Sequence, residues 1–218
     1  MSAPQRTRIK FCGMTRLDDV ALAADLGVDA VGLIFVPRSP RSLDLAQARR
    51  LREAVPAFVS SVALVMDAEP AMVGEIAQRL RPSLLQFHGA EEPADCARHG
   101  LPFLKAIPMA EPSHAVAYAA RYAAAAGFVL DSHAAGGAGG SGRSFDWSAI
   151  PELARPILLA GGLTPENVFD AVRLVRPWAV DVSSGIESAP GIKDAAKMRR
   201  FVDAVRRADA MNQTSLSE

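Results

Sequence analysis

Eight short apolar runs recur along these 218 residues, and the intervals between them are long enough for a helix. They are Ile9–Cys12, Ala30–Val36, Val59–Met66, Leu84–His88, Phe103–Ile107, Phe128–Asp131, Ile157–Ala160 and Ala179–Val182. Amphipathic patterns lie between them, among them Leu17–Leu26, Leu45–Val55, Ala71–Leu80, Ala115–Ala126, Pro165–Val175 and Ala195–Val205. Runs with no polar alternate suit strands covered on both faces, which is the condition of a parallel sheet. Eight strand–helix units in strict alternation predict an α/β fold: a single-domain, eight-stranded parallel (β/α)8 barrel. An open doubly wound sheet is the alternative, but no Gly-x-Gly-x-x-Gly follows the first strand. The expected organisation is a flexible N-terminus over 1–7, a barrel over 8–208 and a frayed polar tail over 209–218.

The last two runs both break into glycine and small hydroxyl residues: Ala160-Gly161-Gly162-Leu-Thr164 and Val182-Ser183-Ser184-Gly185. A helical pattern follows each in turn. Glycine lets backbone N–H groups close on an anion, and a helix N-terminus adds positive partial charge. Loops after the last two strands are where such barrels build a phosphate site. Gly161, Gly162, Ser183, Ser184 and Gly185 are therefore the expected phosphate contacts. The partner is a phosphorylated small molecule.

Charge narrows the function classes. Lys plus Arg and Asp plus Glu each number 24, so the basic surplus a nucleic-acid binder needs is missing. No stretch has the apolar length needed to span a bilayer, and the first residues lack the apolar core of a signal peptide. With two cysteines and no disulfide framework, a soluble cytoplasmic protein is the expectation. The helices show no long exposed apolar stripe, which points to a monomer, with a homodimer as the alternative.

In a barrel the active site gathers at the C-terminal ends of the strands. That rule selects Cys12, Arg38 and Arg41, Gln86 and His88, Asp131, and Asp181. A lone cysteine in a strand is most often a small buried hydrophobe, but Cys12 stands at a strand end beside Gly13. Cys96, on a helical stretch, reads as structural. Asp131 is a carboxyl closing an apolar strand, awkward to bury without a partner. The glycine-rich segment His133–Gly142 follows it directly and reads as a lid or binding loop. Arg38 and Arg41 occupy a stiff Pro-Arg-Ser-Pro-Arg turn, and a guanidinium binds carboxylate bidentately. His88 has no second His or Cys at metal spacing, so no metal is proposed. His99 and His114 read as surface residues.

Six segments together resemble the phosphoribosylanthranilate isomerases of tryptophan biosynthesis. They are Lys10-Phe-Cys-Gly-Met-Thr15, Val36-Pro-Arg-Ser-Pro-Arg41, Gln86-Phe-His-Gly89, Leu130-Asp131 with Gly139–Trp147, Ala160–Val168 and Val180–Ser188. The resemblance implies an Amadori rearrangement in which an N-phosphoribosyl anthranilate is opened and isomerised to a 1-deoxyribulose phosphate. It carries over onto Cys12 as general base at C2′ and Asp131 as general acid at the ring oxygen. Arg41 matches the position that holds the anthranilate carboxylate. Gln86, His88 and Asp181 are assigned with Arg41 to substrate binding. No cofactor is implied, because the substrate's own nitrogen forms the Schiff base. Phe11 departs from the aliphatic residue more usual there, a change expected to affect packing rather than chemistry.

Such chemistry needs a thiolate and a carboxylic acid. At pH 7 only about 3% of ordinary cysteines and about 0.1% of ordinary aspartates hold those forms. Burial pushes Asp131 the right way and Cys12 the wrong way. Cys12 therefore requires an opposing field, for which Lys10 and Arg41 are the candidates; residues two apart share a strand face. A histidine-pathway phosphoribosyl isomerase would use two aspartates, and the first strand ends in Cys12 instead. Indole-glycerol-phosphate synthase would need a lysine acid and glutamates at strand ends, which Lys105 alone does not supply. A metal-dependent pentose-phosphate epimerase would need paired His and Asp ligands. A non-catalytic phosphate-binding barrel would not require Cys12 and Asp131 together.

Overall fold

The computed structural model describes residues 6–132 and 145–214. Eight parallel strands form one closed barrel in sequence order: β1 (Arg8–Cys12), β2 (Ala30–Ile34), β3 (Ser60–Val65), β4 (Leu84–Phe87), β5 (Phe103–Pro108), β6 (Gly127–Asp131), β7 (Ile157–Leu159) and β8 (Ala179–Val182). β1 closes the ring against β8, with Lys10 in register with Asp181 and Phe11 with Val182. The helices are α1 (Leu17–Asp25), α2 (Leu45–Glu53), α3 (Pro70–Arg79), α4 (Pro93–Ala97), α5 (Ala115–Arg121), α6 (Val168–Val175) and α7 (Ala195–Thr214). A two-stranded antiparallel hairpin, β9 (Glu187–Ala189) and β10 (Ile192–Lys193), stands between β8 and α7.

Period-two alternation sorts each strand into an outer and an inner set. Outward residues such as Phe11, Leu33, Val65, Phe87, Ile107, Leu130 and Val180 join one large core between strands and helices. Phe11 meets Phe201 of α7 edge-on at 5.9 Å, so the unusual aromatic in β1 is absorbed by packing against the last helix. Inward residues Leu104, Ala106, Val129, Leu158, Ala160 and Ala179 fill the barrel itself. Cys12, Ile34, Val36, Leu64 and Met66 form a third apolar group at its mouth.

Several local expectations need correction. Among the described residues between β6 and β7, 145–156 hold one 3-10 turn, Trp147–Ala149, and no α-helix. The glycine-rich segment His133–Gly142 lies outside the described residues. α6 begins at Val168 rather than at Pro165, because Thr164–Asn167 forms its own turn. There the Thr164 N–H donates to Asn167 Oδ1 at 2.8 Å and the Glu166 N–H to Thr164 Oγ1 at 3.2 Å. The loop after β8 does not lead directly into a helix; a 3-10 turn, Ser184–Ile186, and the β9–β10 hairpin intervene. α7 runs on to Thr214, past residue 209 where the polar tail was expected to begin. Thr7 and Asp209, assigned by sequence to the two loose ends, bind each other: the Thr7 N–H donates to Asp209 Oδ2 at 2.8 Å and its hydroxyl to Oδ1 at 2.7 Å.

Candidate active site

A pocket opens at the C-terminal ends of the strands. Cys12, Arg41, Gln86, His88, Asp131, Gly161, Gly162, Asp181, Ser183, Ser184 and Gly185 all line it. These are the eleven positions singled out from the sequence, and the structure brings all of them together. The reason is geometric. Cys12, Gln86, His88, Asp131 and Asp181 occupy inward-facing places on β1, β4, β6 and β8 or one residue past them. Ile34, Val36, Leu64 and Met66 supply an apolar wall between the polar groups.

The floor of the pocket is ionic. Lys10 Nζ donates to Asp181 Oδ2 at 2.7 Å, with the two side chains only 2% and 7% exposed. Lys10 therefore faces the same way as Cys12, two residues on. Burial alone would lower the Lys10 pKa, but Asp181 and Cys12 hold it above its ordinary value. Burial pushes Asp181 up against the pull of Lys10. The Asp181 Oδ1 and Gln86 Oε1 atoms are buried without a hydrogen-bond partner, two acceptors facing the space a ligand would fill. His88 Nε2 lies 3.5 Å from Asp131 Oδ2, linking β4 to the end of β6.

Cys12 sits in opposing fields. Burial raises its thiol pKa, Lys10 and Lys193 pull it down, and Asp181 pushes it up, with the net shift upward. Lys10 was expected in this role; Lys193 was not. The ammonium of Lys193 reaches from β10 to donate to the Cys12 carbonyl at 2.7 Å, the Ser183 carbonyl at 3.0 Å and Glu187 Oε1 at 2.9 Å. Glu187 is the second residue the sequence reading missed. It accepts two hydrogen bonds from Arg41, Nε to Oε1 at 2.7 Å and Nη2 to Oε2 at 2.6 Å. These bonds and Lys193 hold the Glu187 carboxyl below its ordinary range although burial acts to raise it. Glu187 was visible within the Val180–Ser188 segment; nothing local marked it as a partner for residues far back in the chain.

The two glycine loops lean on each other. A Cβ on Gly185 would fall inside van der Waals distance of the Leu163 carbonyl oxygen, so only glycine lets the β8 loop rest on the β7 loop. Asn167 braces the latter by donating from Nδ2 to the Gly162 carbonyl at 2.9 Å. Ser183 Oγ is buried without a partner beside them. The remaining chemistry-bearing candidates are Arg38, Cys96 and Lys105. Arg38 lines the pocket rim and points Nη2 at Met66 Sδ, 3.1 Å away. Cys96 is buried under α4, its thiol pKa raised to about 12 by burial. Lys105 faces outward from β5, where Nζ donates to the Gly89 carbonyl at 2.5 Å and to Glu91 Oε2 at 3.0 Å. It holds the β4 loop from behind and does not line the pocket. Among the described residues no group of three His, Cys, Asp or Glu side chains is placed to hold a metal ion, and no helix is long and apolar enough to cross a membrane.

Fold and pocket define a (β/α)8-barrel enzyme with a thiol and a carboxyl at its mouth beside a pair of glycine loops. Residues 9–204 match the family described as N-(5'-phosphoribosyl)anthranilate (PRA) isomerase. A relative from Stenotrophomonas maltophilia (strain R551-3), named N-(5'-phosphoribosyl)anthranilate isomerase, is 56% identical over 207 residues, 94% of this chain and 95% of that protein. One of the same name from Xanthomonas campestris pv. campestris (strain 8004) is 54% identical over 211 residues, again 94% and 95% of the two chains. The crystal structure of phosphoribosyl anthranilate isomerase from Thermus thermophilus superposes with a TM-score of 0.80 at 34% identity, over 92% of this chain and 99% of that one. Another, of the isomerase in complex with reduced 1-(o-carboxyphenylamino)-1-deoxyribulose 5-phosphate, gives 0.76 at 31% identity, over 92% and 99%. The chain belongs to the phosphoribosylanthranilate isomerase family.

Proposed function

We propose that this pocket rearranges N-(5-phosphoribosyl)anthranilate to 1-(2-carboxyphenylamino)-1-deoxyribulose 5-phosphate in tryptophan biosynthesis, by acid–base catalysis with Asp131 and Cys12. The observation that carries the reading is the joint placement of these two groups. A thiol at the end of β1 and a carboxyl at the end of β6 face one cavity from strands three apart around the ring.

Asp131 gives its proton to the furanose oxygen as the C1′–O bond breaks and the anthranilate nitrogen forms the iminium. The Cys12 thiolate then removes the proton from C2′, and the electron pair moves into the enolamine, which tautomerises to the ketone. Atoms are conserved throughout, as an isomerisation requires. The substrate phosphate sits against Gly161, Gly162, Ser183, Ser184 and Gly185, and its carboxylate against Arg41. Asp181 Oδ1 and Gln86 Oε1, buried without partners, accept from substrate hydroxyl or N–H groups. His88 orients Asp131 across their 3.5 Å separation. The enzyme acts as a monomer in the cytoplasm, where its two buried cysteines stay as thiols.

The test is direct turnover of fresh phosphoribosylanthranilate, following the isomer by chromatography because mass does not change. Turnover above the spontaneous rate that collapses in Cys12→Ala and Asp131→Asn, with product-analogue binding kept, is the expected result. Near-normal kcat in either variant removes that residue from its role.

A further inference from the structure

We infer that Glu187 and Lys193 are positioning residues that select for the substrate's carboxylate by fixing which edge of Arg41 faces the pocket. The inference rests on the reading of Arg41 given above. A guanidinium offers two bidentate edges, one using Nε and Nη2, the other its two terminal nitrogens. Glu187 takes the first, at 2.7 and 2.6 Å. The edge carrying Nη1 is left to meet a second carboxylate in the pocket that Arg41 lines.

Lys193 keeps Glu187 in that pose. An ammonium has three donors, and those of Lys193 go to three acceptors: the Cys12 carbonyl, the Ser183 carbonyl and Glu187 Oε1. Its side chain is fully buried and its donors are committed, so it has none left for a ligand. One buried group thus ties the strand carrying the thiol, the loop after β8 and the carboxylate that orients the arginine. Gly13 completes the seat: a Cβ there would stand 2.5 Å from Arg41 Cδ, so the arm of the arginine lies across a residue that has none.

Charge points the same way. Arg41, Lys193 and Glu187 form one hydrogen-bonded cluster of two cations and one anion. Arg41 is 12% exposed and Glu187 5%. Glu187 meets Arg41 on one edge only, so a ligand carboxylate suits the other edge better than a neutral group.

The test compares two substrates, N-(5-phosphoribosyl)anthranilate and N-(5-phosphoribosyl)aniline, which lacks the carboxylate. In Glu187→Gln the KM for the anthranilate substrate should rise about 10- to 100-fold, the range of a lost charged hydrogen bond, with kcat changed less than about threefold. The KM for the aniline substrate should stay within about threefold. Equal loss on both substrates, or no change on either, overturns the inference. If Glu187→Gln does not fold, Glu187→Asp, which keeps the charge but shortens the reach, is read against the same two substrates. If the wild-type enzyme itself fails to distinguish them, it is the assignment of Arg41 that falls. If wild type distinguishes them and the variant does so equally well, only the role of Glu187 falls.

Discussion

Replacing Lys10 with methionine isolates the ion pair beneath the thiol. Met keeps the length and apolar stem of lysine and removes the ammonium. In the native protein Lys10 Nζ and Asp181 Oδ2 are 2.7 Å apart and almost wholly shielded from water. Removing one partner of a buried pair costs about 3–5 kcal/mol, because the other charge is left in a medium that cannot solvate it. For a domain of this size, each kcal/mol moves the melting point by about 2–4 °C, so Lys10→Met should melt about 6–20 °C below wild type. The deficit should shrink as pH falls. Asp181 already titrates above its ordinary value, and losing the pull of Lys10 raises it further. A carboxyl whose folded pKa is raised contributes most below its unfolded pKa of about 4 and loses that contribution as pH rises through the folded value. The double variant Lys10→Met/Asp181→Val should regain most of the lost stability, since apolar replacement of both partners is often close to neutral, yet remain inactive. Calorimetric scans of the three proteins at pH 5 and pH 8 supply the comparison. A single variant that melts with wild type, or a double variant as weak as the single, would refute the idea that Asp181 is stranded when Lys10 is removed.

Both thiols should titrate late. Absorbance near 240 nm should show both thiolates forming above the ordinary thiol range, Cys96 at about 12, the direction burial sets for each; kcat/KM should climb with pH as Cys12 ionises. Gly185→Ala should push the β7 and β8 loops apart and weaken product-analogue binding by about tenfold or more, the scale of a small misplacement in a preorganised site, with circular dichroism unchanged. Calorimetric titration with the analogue checks it, and unaltered affinity would show that the loops do not act as one cradle. Lys105→Met should cost about 1–3 kcal/mol in stability by removing one charged donor from Glu91, which keeps the Asp67 and Gly89 N–H groups, while kcat per folded molecule is kept, because Lys105 faces away from the pocket. A melting curve alongside an active-site-normalised rate tells the two effects apart.

The strands were legible because a strand covered on both faces must be apolar throughout, and Ala179–Val182 has the same bounds in sequence and structure. The strand-end rule combined with period-two alternation then reaches Cys12, Gln86, His88, Asp131 and Asp181 without any knowledge of contacts. What stayed hidden depends on pairing across the chain. Glu187 meets Arg41 over 146 positions, and Lys193 meets the Cys12 carbonyl over 181. A periodic pattern reports which face of its own element a residue occupies; it is silent on what stands opposite. The late start of α6 is a failure of another kind. There, composition suited a helix, but local hydrogen bonds such as Thr164 to Asn167 closed a turn first.

Thr7, just before β1, and Asp209, on α7, tie the first strand to the last helix on the side of the barrel away from the pocket. A barrel whose first strand and last helix are tied in this way is close to a circle of strand–helix units, and a circle has no privileged first member. Joined by a few residues at that point and opened in a different crossover, the same units could be read from a new starting strand, with the β1–β8 seam becoming an ordinary internal pairing.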